Sequence, residues 1–134
     1  MVVALLGAAF ASMVQVELGI APAELHTVLV EVGAPAQTVE FVSGVPMRAK
    51  LKARAAENGT RISVDLEVSS TKVDRSLSKV DRELVRHAVT RGARVSPELV
   101  LPDEENGKAL FFVGGEEEDG TPFGWTIRIV PVEE

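Results

Sequence analysis

The sequence predicts an α+β fold: a single domain over residues 1–134, in which a mostly antiparallel sheet of about eight strands packs on one long amphipathic helix at about residues 71–91. Three observations predict it. Apolar and polar residues alternate with period two in short runs bounded by Gly- and Pro-rich breaks, the pattern of half-buried strands. Asn58-Gly59 falls between two such runs, the strongest local sign of a tight hairpin. The tract from Thr71 to Arg91 instead spaces its apolar residues by three and four, the period of a helix with one buried face.

Composition agrees with that class. The chain has 134 residues, 46% hydrophobic and 25% charged, which excludes a disordered or collagen-like polymer and leaves enough apolar material for a core. It has no Cys, so disulfide frameworks, thiolate zinc sites, iron–sulfur clusters and a Cys nucleophile are excluded together. A formal charge of -6 repels nucleic acid and anionic membranes at long range.

From the N-terminus, the first sixteen residues carry no charged side chain, and the first to appear is Glu17. That run is too short for a transmembrane helix, and it lacks the basic start of a signal peptide. A secreted form with residues 1–11 removed after Ala9-Phe10-Ala11 is the alternative to a cytoplasmic protein that keeps the segment. If kept, Val2, Val3, Leu5, Leu6 and Phe10 form part of a subunit interface, because a lone small domain hides such a segment poorly. Val14 to Leu18 then alternates and reads as a strand. His26–Val32 and Thr38–Ser43 read as a hairpin across Gly33-Ala34-Pro35-Ala36-Gln37.

Met47–Ala56 and Arg61–Ser69 flank the Asn-Gly turn. With Asn58 and Gly59 as loop residues, Leu51 faces Leu66, Ala53 faces Val64 and Ala55 faces Ile62. On the other face Lys52 opposes Asp65 and Lys50 opposes Glu67. The small residues Ala49, Ala53 and Ala55 call for a close-packed cover, which the following helix supplies in this reading. Thr71-Lys72-Val73-Asp74 has capping-box spacing and Gly92 a C-cap position. The tetrapeptide Lys-Val-Asp-Arg recurs at seven-residue spacing, too briefly for a coiled coil, so packing on the sheet is preferred. Strands return at Glu98–Leu101, Lys108–Val113 and Gly124–Val132.

Chemistry-bearing residues are few. Arg48, Lys50, Lys52 and Arg54 share one strand face, joined by Arg61 across the hairpin and countered there by Asp65 and Glu67. This is a candidate cradle for a phosphate or carboxylate, set against a plain solvated face. His26 and His87 are the only residues that titrate near neutrality and hence the only candidate general bases. Two isolated His without HxH or HExxH spacing exclude a familiar zinc site, and no cofactor motif is present. The acidic run Glu116–Asp119 lacks an EF-hand's ligand spacing and reads as a hairpin tip. Phe111 and Phe112 point to opposite faces, so one of them stands exposed or covered by a partner.

The expected function is therefore non-catalytic binding or assembly in a homo- or hetero-oligomer, partly through the apolar N-terminal segment, without nucleic acid. The alternative is a small-molecule enzyme or carrier for an anionic or acyl-thioester-like ligand, its pocket between sheet and helix.

Overall fold

The computed structural model describes residues 13–104 and 107–132. Among these, antiparallel strands dominate and form two sheets. In chain order they are β1 (Met13–Ala21), β2 (His26–Glu31), β3 (Gln37–Ser43), β4 (Val45–Ala56), β5 (Gly59–Val68), the helix α1 (Lys79–Arg91), β6 (Arg94–Val95), β7 (Glu98–Pro102), β8 (Ala109–Glu116) and β9 (Pro122–Pro131). The first sheet runs β2-β1-β9-β8. The second runs β3-β4-β5-β6, with β7 continuing beside β5 where β6 stops. Pro97 lies at that interruption, as befits a residue unable to donate to a ladder, and its carbonyl accepts from Val64 N at 3.1 Å.

Alternation builds one core from both sheets. Val14, Val16, Leu18 and Ile20 of β1 and Ile127 and Ile129 of β9 point inward, as do Met47, Ala49, Leu51 and Ala53 of β4 and Ile62, Val64 and Leu66 of β5. Ser43 ties the sheets together. Its hydroxyl accepts from Ile20 N at 3.0 Å and donates to the Glu24 carbonyl at 2.9 Å. Gly19 makes room for it, since a Cβ there would lie 2.0 Å from Ser43 Oγ.

Four expectations are corrected. First, β2 and β3 are not a hairpin: β2 pairs with β1 in one sheet and β3 with β4 in the other. The Gly33–Ala36 connection crosses between sheets, and Gly33 N donates to Ala53 O at 2.8 Å. Second, the β4–β5 loop is Glu57-Asn58, with Ala56 facing Gly59. Leu51 therefore faces Val64, Ala53 faces Ile62, Lys50 faces Asp65 and Lys52 faces Ser63, a shift of two that keeps every side chain on its face. Gly59 serves β7 rather than the turn, because a Cβ there would sit 2.1 Å from the Leu101 carbonyl oxygen.

Third, α1 starts at Lys79, not near residue 71, and has 13 residues. Asp74 accepts from Ser76 N and Oγ at 2.9 and 2.8 Å, a local turn that outcompetes the helix. Ser78 is the N-cap, its hydroxyl accepting from Asp81 N at 3.1 Å. Fourth, α1 does not cover the alanines of β4. Ala49 and Ala53 are buried in the core between the two sheets, while Ala55 is exposed. The helix packs instead against β9 and β1. Val85 presses on Gly44, and the Trp125 indole donates to Ala88 O at 3.4 Å. The described fold is thus mostly β with one short helix.

No described helix is long and apolar enough to cross a membrane. Residues 1–12, including Val2, Val3, Leu5, Leu6 and Phe10, lie outside the described residues.

Candidate functional site

The cationic stripe stands where strand periodicity puts it. Arg48, Lys50, Lys52 and Arg54 project outward from β4, all exposed, and Arg61 lies opposite Arg54. The hairpin alone, however, does not set the charge of this face. Arg48 meets Glu40 of β3 at 3.3 Å and Glu67 at 3.6 Å, while Arg54 and Arg61 share Glu98 of β7 at 3.7 and 3.2 Å. Asp65 is gripped by Arg94, with Nε and Nη2 at 2.7 and 2.6 Å, and by the Ser96 hydroxyl at 2.9 Å. The Arg94 hydrogen bonds hold the Asp65 carboxyl below the usual carboxylate range. Partial desolvation opposes them, and Ser96 and Lys50 assist. Lys50 and Lys52 are left without an ion-pair partner among the described residues. The face is a wide, open surface whose positive charge is only partly compensated.

The two histidines lie apart from that stripe. His26 stacks on Phe41, rings 4.7 Å apart and 7° from parallel, while His87 of α1 meets Phe123 edge-on at 5.9 Å. Neither donates to or accepts from a carboxylate among the described residues. No base–orienter pair of the kind that drives nucleophilic or general-base catalysis is assembled around them. Among the described residues no group of three His, Asp or Glu side chains converges as metal ligands do.

Two features whose place the sequence left open lie on β8. The first is its free edge: β8 pairs with β9 on one side and with no strand on the other among the described residues. Its outward side chains include Leu110, 65% exposed, and Phe112, 38% exposed, while Phe111 packs against the core. Lys108 and Glu116 bracket that outward row, both exposed.

The second is a hollow of about 250 Å³ between the last turn of α1 and the β8–β9 hairpin. Its walls are Ala88, Val95, Val113, Phe123 and Trp125, with His87, Arg91 and Arg94 at the rim. Glycines create the space. Gly114 faces Gly124 across the hairpin, and the backbones approach so closely that a Cβ on Gly114 would lie 1.9 Å from Phe123 O. One on Gly124, at φ 140°, would lie 2.3 Å from Val113 O. The Phe123 ring folds over Gly115. Beyond them Glu116–Asp119 forms the turn expected of a hairpin tip, with Asp119 Oδ1 accepting from Thr121 N at 2.9 Å. In the sequence, the signal for this hollow was the pairing of Gly114-Gly115 with Gly124 beside two aromatic residues.

Fold and site together define a class: a two-sheet antiparallel β protein with a short packed helix, a free apolar edge and a small hollow beside the helix. No family model matches the chain, and no curated protein or solved structure matches it.

Proposed function

We propose that the chain is a non-catalytic binding and assembly protein whose contact surface is the free edge of β8, and that a second copy of the chain pairs there. The observation that carries this reading is the exposure of Leu110 and Phe112 on a strand edge with no partner among the described residues. Native sheets ordinarily blunt such edges with charge, Pro or a bulge, and an apolar edge left open is a site for strand addition.

The edge is self-complementary. In an antiparallel two-fold pairing with Phe112 opposite Phe112, each copy's Leu110 lies against the other's Gly114, large against small. Each Lys108 lies against the other's Glu116. Support against catalysis comes from the histidines, each set against an aromatic ring and neither hydrogen-bonded to a carboxylate among the described residues.

Light scattering on the eluting species tests the proposal. The full chain is expected to run as a dimer at tens of micromolar. Lys108→Glu and Glu116→Lys each replace two attractive cross-strand pairs with repulsive ones. The cost is roughly 2 kcal/mol per dimer, about thirtyfold in dissociation constant. The double swap restores association. A monomeric parent chain refutes the reading. Dissociation on deleting residues 2–10 with indifference to the charge swaps moves the interface to the N-terminal segment and refutes the β8 edge.

A further inference from the structure

We infer that the hollow between α1 and the β8–β9 hairpin binds a small aryl-alkyl carboxylate, with its ring over the glycine backbone and its charge on Arg91. The inference is independent of the assembly reading, because the hollow lies on the face of β8 opposite Leu110 and Phe112.

Glycines shape the hollow. Gly114 and Gly124 leave peptide backbone as part of one wall, with the Phe123 ring covering Gly115 beside them, and the close approach of the two strands forbids a Cβ at Gly114 or Gly124. A wall of bare backbone facing Ala88 of the helix is flat and narrow, which suits the face of a ring better than a branched chain. Trp125 and Phe123 add aromatic edges, and the indole is pinned by its hydrogen bond to Ala88 O. Val113 is 51% exposed although it lies on the hollow's side of the strand, so the site presents apolar surface that nothing among the described residues covers. At about 250 Å³ the space falls just below the ~300–1,000 Å³ typical of pockets for drug-sized ligands, so the occupant is a small molecule.

Arg91 supplies the charge. Three cationic or titratable side chains reach the rim, but Arg94 is already neutralised by its two-pronged contact with Asp65. Arg91 has no ion-pair partner among the described residues. Its guanidinium presents the fork that a carboxylate fits. The acidic tip Glu116–Asp119 adjoins Gly115 and disfavours a second negative charge, which argues for a monoanion over a phosphate dianion.

Trp125 is the chain's one tryptophan, so its fluorescence reports on this hollow alone. The probe is 3-phenylpropanoate and its control is the neutral 3-phenylpropanamide, titrated at constant ionic strength. The carboxylate is expected to shift Trp125 emission saturably and the amide to bind about tenfold more weakly. Arg91→Gln is expected to bring the acid down to the amide's affinity and leave the amide unchanged. Val113→Phe, at a half-exposed position that tolerates bulk, is expected to weaken both at least fivefold. Equal affinity for acid and amide, an acid preference that survives Arg91→Gln, binding that survives Val113→Phe, or no response to either probe would each overturn the inference. Lys108 and Glu116 are unaltered in every variant, so the result does not depend on assembly.

Discussion

Replacing Ser43 with Ala tests whether one hydroxyl welds the two sheets. Ser43 is 1% exposed and its oxygen serves both Ile20 N and the Glu24 carbonyl. Ile20 is fully buried, so its N–H has no route to water once the acceptor is gone, a loss of about 1–3 kcal/mol. The Glu24 carbonyl is only partly buried and recovers some hydration, so its lost bond adds about 0.5–1.5 kcal/mol. Together these give roughly 1.5–4.5 kcal/mol, a large share of the ~5–15 kcal/mol that holds an ordinary domain folded. For a chain of this length the melting temperature falls by roughly 10 °C. Urea unfolding followed by far-UV circular dichroism measures the difference, with Ser63→Ala on the exposed outer face of β5 as a control expected within about 0.5 kcal/mol of the parent. A Ser43→Ala loss under about 0.5 kcal/mol would show that Gly19 and Ser43 are merely neighbours and that packing alone joins the sheets.

Two further outcomes follow from local geometry. Ser78→Ala removes the cap of α1 and is expected to cost about 1 kcal/mol in the same unfolding assay. Thr71→Ala, at the helix start that the sequence alone suggests, is expected to cost nothing measurable, and the reverse order would place the helix start at residue 71. Asp65, whose carboxyl is held low by Arg94, stabilises the fold at pH values above its ordinary unfolded pKa, and that contribution disappears as pH falls through its depressed folded value. The stability gap between the parent and Asp65→Asn is therefore constant near neutrality and closes below about pH 4. A gap unchanged down to pH 2 would contradict the Arg94 contact.

What the sequence disclosed was whatever period two or a short-range signal determines. Alternation placed Arg48, Lys50, Lys52, Arg54 and Arg61 on one face, and it put Phe111 and Phe112 on opposite sides of β8. The two-residue error in the β4–β5 register has a specific source. Asn58-Gly59 resembles the two positive-φ positions of a tight turn, but Gly59 is required by the Leu101 carbonyl, a neighbour more than forty residues away in sequence. Charge balance on the outer face failed for the same reason, since Glu40, Arg94 and Glu98 arrive from other strands. The alanines of β4 announced a close neighbour without naming it, and the neighbour proved to be the opposite sheet. Lys-Val-Asp-Arg makes the point within one segment. At residues 72–75 it belongs to an irregular stretch whose Asp74 closes a turn onto Ser76, and at residues 79–82 it opens α1 under the Ser78 cap. Identical residues take two conformations because their flanking hydroxyls offer different bonds.

The two surfaces proposed for β8 coexist because a strand separates its side chains by face. Lys108, Leu110, Phe112 and Glu116 alternate outward, while Val113 and the Phe123 ring over Gly115 border the hollow. Gly114 lies in the outward row and also lines the hollow. Across the hairpin its lack of a side chain lets Gly124 approach and opens the hollow. A glycine in a strand interior ordinarily weakens the sheet, by roughly 0.5–1 kcal/mol relative to alanine. Here that cost is set against a close approach of two strands that only a residue without a Cβ permits. The hollow and the exposed apolar row together are the reason to look for function at β8 rather than on the open, partly compensated face of β4.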